Sequence, residues 1–367
     1  MALSPNYGWA EPDNSSLVKN GAQDIRALGD AIDTSLWNVG YGQAGKNKLI
    51  NGDFNINQRS FTSSTTDGAY GFDRWLMEAS GGATYSAQTF TAGAAPVAGY
   101  ESKNFARIVT TGQSGAGVYT LLEQKIEDVR TFAGQPVTVS LWAKAASAGA
   151  KIGLELSQSF GSGGSAQVNT ALGAVTLTTS WERYSLSVTI PSISGKTIGT
   201  ADSLTLGLWT SAGTTFATRA SSIGIQTATI DIWGVQVEYG SKATPFETAT
   251  GTLQGELAAC QRYYQRFDVG ANGLTGFFGT AYSTTAAALI RDLAVPLRTT
   301  QITVDYSNIR LYDIATNFTI TSLVGWASSE NHTSALLATG ASGLTQYRLY
   351  YASPQSSAGF IAIGAEL

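Results

Sequence analysis

The residue types that usually do covalent chemistry are scarce in this chain of 367 residues. It holds one histidine, His332, and one cysteine, Cys260. Zinc sites and most acyl-transfer triads need histidine in a defined constellation, and no Gly-x-Ser-x-Gly elbow is present to supply a serine nucleophile. Hydrolysis of a glycosidic bond needs two carboxylates at a controlled separation. Glu155, Glu182, Asp231 and Glu238 are available, but no local motif ties any two of them. The segment Gly40-Tyr41-Gly42-Gln43-Ala44-Gly45-Lys46-Asn47 matches the start of a phosphate-binding loop. It carries Asn47 where a magnesium-holding hydroxyl is required and follows a helix instead of a strand, which argues against nucleotide binding. No cofactor is implied, although oxygen donors at Asn51, Asp53 and Asp231 leave room for a structural calcium.

Non-covalent recognition suits the composition better. A sugar offers apolar C–H patches and many hydroxyls but no charge, so its sites combine aromatic rings with amides or carboxylates. Trp142 and Trp209 fall on the opposite strand parity from their aliphatic neighbours, and Glu155 shares it. These three either line an open sheet face or are covered by a second packing interface. Trp75, Trp181 and Trp233 read as packing residues. A second set of candidates lies in polar, glycine-hinged loops nearer the end: Phe277, Phe278 and Tyr282 in one, Asn331 and His332 in another. The loops are slightly favoured over the tryptophan face.

The chain has 22 basic and 26 acidic residues, a net charge of -4, and only 13% charged residues against about 25% in ordinary domains. That excludes a basic nucleic-acid footprint and an acidic disordered tail. With 41 Gly, 8 Trp, 16 Tyr and 14 Phe, and long stretches of Ser, Thr and Ala, it reads as a turn-rich β protein with a hydroxyl surface. One cysteine closes no internal disulfide, the start has no signal-peptide pattern, and no run reaches the ~18 apolar residues of a membrane span, so synthesis and folding in a cytosol are expected.

The elements that must position these residues follow from periodicity. Val18, Ile25 and Ile32 are one heptad apart with Leu28 between, predicting a helix over 17–40 whose seam is a short coiled coil. Gly21 and Gly29 weaken it by ~1 kcal/mol each, so it is expected to lean on partner copies or on its own domain. From 49 to 251 the period is two: Val137, Val139 and Leu141; Ile152, Leu154 and Leu156; Tyr184, Leu186 and Val188; Leu204, Leu206 and Leu208. Short alternating runs with turns between them predict a β-jelly roll, with a bulge at Gly234 in its last strand. Residues 252–367 predict a smaller β-sandwich with a strand at Leu293 to Leu297 and loops at 268–288 and 327–344. Residues 1–16 form an arm and 41–48 a glycine-rich hinge. The fold class is thus mainly β.

Several strings resemble tailed-bacteriophage tail fibres and receptor-binding proteins. Gly8-Trp9-Ala10-Glu11-Pro12-Asp13, with Leu17 to Ile25 and Leu28 to Asp33, resembles the N-terminal segment of minor tail proteins. Leu49-Ile50-Asn51-Gly52-Asp53-Phe54, Gln58-Arg59, Phe72-Asp73-Arg74-Trp75, Ser140 to Ala145, Trp181-Glu182-Arg183-Tyr184, Val237 to Gly240 and Ala243 to Glu247 resemble the carbohydrate-binding-module-like jelly roll of such fibres. Glu256-Leu257 to Cys260-Gln261-Arg262-Tyr263-Tyr264, Pro296-Leu297-Arg298 and Ala365-Glu366-Leu367 resemble the module that follows it. The resemblance implies a homotrimeric virion component assembled in the host cytoplasm. Its N-terminal arm would dock on a tail or baseplate protein, and its distal module would bind a cell-surface glycan or other receptor without turnover or membrane insertion. A structural tail component and a glycan-degrading enzyme are the alternatives.

Overall fold

Alternation of apolar and polar residues places two sheets face to face. The structure, a computed structural model, describes residues 2–3, 9–11, 20–39, 45–94, 97, 99–271, 273–326, 333–340, 343–355 and 357–367. Short strands β1 (Ala2–Leu3) and β2 (Ala10–Glu11) pair with each other, and helix α1 spans Gly21–Val39. On α1, Ile25 is exposed while Leu28 and Ile32 are half-buried; Val18 of the expected seam lies outside the described residues.

Twelve strands then follow: β3 (Ser63–Ser64), β4 (Ala69–Tyr70), β5 (Leu76–Ala79), β6 (Ala83–Thr89), β7 (Asn104–Thr110), β8 (Tyr119–Glu127), β9 (Pro136–Ala145), β10 (Lys151–Ser159), β11 (Val168–Thr176), β12 (Glu182–Thr189), β13 (Ser203–Ala212) and β14 (Ala228–Tyr239). They form two six-stranded antiparallel sheets in the orders β12-β9-β14-β7-β6-β3 and β11-β10-β13-β8-β5-β4. Val137, Val139 and Leu141 of the first sheet meet Leu154, Leu156, Leu204, Leu206 and Leu208 of the second in one buried core. In β14 the register shifts between Trp233 and Gln236. Gly234 sits there at φ 61°, where an added Cβ would stand 2.8 Å from the Trp142 ring. Glycine is therefore required at this bulge twice over, by backbone conformation and by space.

Helix α2 (Leu253–Gln261) starts at the Thr252 cap, whose side chain accepts a hydrogen bond from Gly255 N. Beyond it lie β15 (Tyr264–Val269), β16 (Phe278–Ala281), β17 (Ala286–Asp292), β18 (Thr303–Ser307), β19 (Ile309–Tyr312), β20 (Asn317–Trp326), β21 (Thr333–Gly340), β22 (Leu349–Pro354) and β23 (Gly359–Gly364). The expected sandwich is instead a closed barrel, β16-β17-β21-β20-β19-β22, beside a three-stranded sheet, β15-β23-β18. Parts of both expected loops are barrel strands. Ala286-Ala287-Ala288 and Ser334 to Thr339 carry too few large side chains to read as strands alone, and pairing on both sides of β17 and β21 holds them in the ladder. Closure leaves no open edge. The run from Leu293 to Leu297, which contains Pro296, is irregular and forms no strand.

The two parts are joined through buried polar contacts. Glu256 of α2 accepts hydrogen bonds from Asn51 N and Thr250 N, both at 2.7 Å. The Arg74 guanidinium lies 3.4 Å over the Tyr263 ring and pairs with Glu366. Arg59 lies 3.7 Å over Tyr264 and reaches Glu366 at 3.0 Å.

Candidate functional site

The outer face of the second sheet carries a polar groove of about 310 Å³. Its floor follows from register. Residues directly opposite in adjacent antiparallel strands point to the same side, and Glu155 of β10 and Glu123 of β8 both pair with Gly207 of β13. The two glutamates therefore stand in one row, about 10 Å apart at their Cα atoms, with a strand position lacking a side chain between them. The next row places Ser157, Thr205 and Lys125 side by side.

One wall is the segment 213–226, which folds over the sheet. Its Phe216 packs on Trp209 at 5.6 Å between ring centroids, and Ala220 and Ile223 complete a small apolar cluster with Leu121. Arg219 reaches from this wall to Glu155 with two hydrogen bonds, Nε to Oε1 at 2.8 Å and Nη2 to Oε2 at 2.9 Å, and Trp209 Nε1 donates to Oε2 at 3.1 Å. Glu155 is 1% exposed and fully engaged. At the other end, Lys125 Nζ donates to an oxygen of Leu367 at 3.2 Å.

Glu123 is in a different state. It is 7% exposed, lines the groove, and takes no hydrogen bond from any described residue. Burial pushes its carboxyl up to about 7, Glu78 nearby adds to the rise, and Lys125 and Arg219 oppose it. The groove thus offers a locked carboxylate, a carboxyl that titrates near neutrality, hydroxyls, and no free aromatic face. Such a surface recognises a polar ligand by hydrogen bonds.

Two larger clefts offer less. One of about 660 Å³ is lined by Val109 to Thr111, Ala145 to Ala150 and Gln226 to Thr229, which supply methyls and neutral polar groups but no charge or ring. Another of about 580 Å³ lies at the junction of the two parts, where Arg59 stacks on Tyr264 and Arg266 stacks 3.8 Å over Phe360.

The structure separates the sequence-predicted saccharide face. Trp142 and Trp209 lie on the outer faces of different sheets, because equal parity on strands of opposite sheets points in opposite directions. Trp142 is half-buried among Tyr100, Trp233 and Phe246 with Arg183 4.6 Å over its ring. Trp209 is 1% exposed, so its indole binds the wall and not a sugar. Of the three, only Glu155 lines the groove. Phe277, just ahead of β16, is fully buried beside Phe267 in the core of the C-terminal part and cannot touch a receptor. Phe278 and Tyr282 are 52% and 44% exposed, and Phe278 pairs with Ile290 and Tyr351 on the outer barrel wall. Asn331 and His332 lie outside the described residues.

The other sequence candidates are occupied by structural work. Asp231 takes Arg107 at 2.6 and 2.9 Å and faces Lys144 at 3.7 Å. Glu238 holds Thr244 and Gln236, and Glu182 holds Thr178. Asn51 bonds the backbone of Ile56 and Asp73, and Asp53 bonds Asn55. Glu123, Gly207 and Arg219 were missed. Glu123 sits in Tyr119-Thr120-Leu121-Leu122-Glu123-Gln124-Lys125, where parity alone could have put it on the outer face with Leu121 and Lys125.

No family model matches the chain, and no curated protein does either. Among solved structures it is similar to the CBM22-1 xylan-binding domain of Xyn10C from Paenibacillus barcinonensis, at 16% identity and a TM-score of 0.33 over 55% of this chain and 99% of that one. The family 11 carbohydrate-binding module from Clostridium thermocellum, in complex with a β-1,3-1,4-mixed-linked tetrasaccharide, matches at 11% identity and 0.31 over 50% and 99%. The enzymatically active domain of tailspike protein 4 from bacteriophage CBA120 matches at 12% and 0.31 over 53% of this chain and 22% of that one. TM-scores of this size leave the functional reading to the groove itself.

Proposed function

We propose that the chain binds a cell-surface glycan in the groove between Glu155, Gly207 and Glu123 and acts as the adhesive part of a tailed-phage fibre. The observation that carries the binding reading is the row of two carboxyls flanking an empty strand position, walled by the Arg219 segment. A pyranose ring with its hydroxyls is of a size to sit over Gly207 and to exchange hydrogen bonds with Glu123, Ser157 and Thr205. The phage part of the reading rests on the resemblance of the sequence strings. So do a homotrimer with its seam at Val18, Ile25, Leu28 and Ile32, a tail protein holding the arm, and assembly in the host cytoplasm. Three copies of a weak groove would gain by avidity, by ~10²-fold or more where spacing matches the surface.

The test uses the full chain. Labelled protein is expected to adsorb to susceptible bacteria, to be displaced by their surface polysaccharide, and to release no reducing sugar. Adsorption unaffected by saccharide sinks the groove reading. Sustained release of reducing ends turns it into a hydrolase, with Glu123 as the acid. Light scattering that finds a monomer at micromolar concentration removes the trimer.

A further inference from the structure

Charge in the groove is not balanced. Three carboxyl side chains line it, Glu78, Glu123 and Glu155, against two cations, Lys125 and Arg219. Arg219 is spent on Glu155 through both of its hydrogen bonds, and Lys125 is turned to Leu367. Glu123 is more than nine-tenths buried, lines the cavity, and has no hydrogen-bond donor among the described residues. A carboxyl in so narrow a groove, without a protein donor, takes its hydrogen bonds from water or from a ligand that displaces it. Among the described residues no three acidic, histidine or cysteine side chains converge to hold a metal ion, so the missing partner fits an organic donor better than a bare cation.

Building on the glycan-binding reading, we infer that the groove selects a saccharide carrying a free, positively charged amino group, seated over Gly207 with its ammonium against Glu123 and toward Glu78. An ammonium offers three donors to two carboxyls whose side chains take no hydrogen bond from any described residue. The N-acetylated form of the same sugar is neutral and brings no cation to Glu123. The groups facing Glu123 are Glu78 from β5, Tyr70 from β4, Lys125 from β8, Glu155 from β10 and Arg219 from the wall. The first and fourth raise the demand for a cation, and Lys125 and Arg219 lower it. Binding an ammonium draws Glu123 into its ionised form, so a proton is released on binding near pH 6.5 and affinity rises with pH until the amine itself deprotonates.

Calorimetric titration of the full chain at pH 6.5 with β-1,4-linked glucosamine tetramer, its fully N-acetylated form and the corresponding glucose tetramer tests this. The free-amine tetramer is expected to bind at least tenfold more tightly than either neutral one, and Glu123→Gln to bring that ratio near one. Glu78→Gln should lower it in part. Should Glu123→Gln fail to fold, the ratio in the unaltered chain and its rise between pH 5.5 and 7 carry the decision. Equal binding of all three tetramers overturns the inference and leaves glycan binding standing. A preference that survives Glu123→Gln overturns it as well, because attraction to the acidic protein as a whole would then be its cause. Failure of every saccharide to bind, with or without a response to calcium chloride alone, overturns both readings.

Discussion

Arg219 and Glu155 form a two-bond ion pair, at 2.8 and 2.9 Å, that pins the segment 213–226 to the floor of the groove. The Glu155 end is buried and the Arg219 end is about one-third exposed. Removing the arginine leaves a buried carboxylate with only the Trp209 indole as donor among the described residues. Arg219→Ala is therefore expected to destabilise the chain by about 2–3 kcal/mol, below the 3–5 of a fully buried pair because water reaches the guanidinium. The double variant Arg219→Ala/Glu155→Gln should recover most of that loss, since the orphaned charge is gone. Urea unfolding of the four proteins measures the cycle. Additive losses would mean that the pair does not hold the wall.

Glu123 makes stability depend on pH in a stated direction. Its folded carboxyl titrates at about 7, above the ordinary 4.5. Between these values the native chain binds more protons than the unfolded one, so stability is full below pH 4.5 and falls as pH rises through 7, by at most about 3 kcal/mol from this group. Asp53 and Asp73, also pushed up by burial, tilt the curve the same way. The informative quantity is thus a difference. Glu123→Gln should match the parent chain at pH 4.5 and be more stable at pH 8, by about 1–3 kcal/mol. Parallel stability curves for the two proteins would show that Glu123 is not held near neutrality.

How much of this was legible in the sequence depends on what each residue touches. Alternation in β9, β10, β12 and β13 exposed the sandwich because one face of each strand is buried against the other sheet. The strings that resemble fibre proteins turn out to touch one another. Asn51 meets Glu256, Arg59 meets Tyr264, Arg74 meets Tyr263 and Glu366, and Arg183 stacks on Trp142 while bonding Thr244. They are joints of the scaffold, and their types are fixed by tight polar packing. The groove is made otherwise. Its row of Glu155, Gly207 and Glu123 comes from three strands whose register no local pattern specifies, and its wall carries Arg219 in a segment without periodicity. The barrel was hidden for a related reason, since small residues in β17 and β21 gain their structure from neighbours on both sides.

The joint at Glu256 gives a separate test. Its carboxylate accepts from Asn51 N and Thr250 N at 2.7 Å and from the Thr250 hydroxyl at 3.0 Å, and it is 2% exposed. Alanine there leaves two backbone donors without their partner, at about 1–3 kcal/mol each. Glu256→Ala is expected to lose about 2–4 kcal/mol and to let the C-terminal part unfold at a lower temperature than the jelly roll, visible as a second calorimetric transition. A single transition with a loss below ~1 kcal/mol would show that Glu256 is not what couples them.

Gly207 decides between the groove and the barrel wall as the adhesive surface. A Cβ at this position would meet Leu121 Cδ1 at 3.3 Å, which must give by a few tenths of an ångström, and would stand in ordinary contact with Trp209 Nε1 at 3.5 Å and Glu155 Oε2 at 3.8 Å. The position has ordinary strand conformation, so a β-branched residue regains strand propensity while occupying the space between the glutamates. Gly207→Thr should therefore fold with stability within about 1 kcal/mol of the parent chain and lose saccharide binding by tenfold or more. Phe278→Ala and Tyr282→Ala, on the exposed barrel wall, should leave saccharide binding and cell adsorption intact. Cell adsorption read beside direct saccharide titration separates the two surfaces: loss with the barrel variants and retention with Gly207→Thr would move the receptor contact to the row of Ile290, Phe278 and Tyr351, where an apolar partner and not a sugar is the fitting occupant.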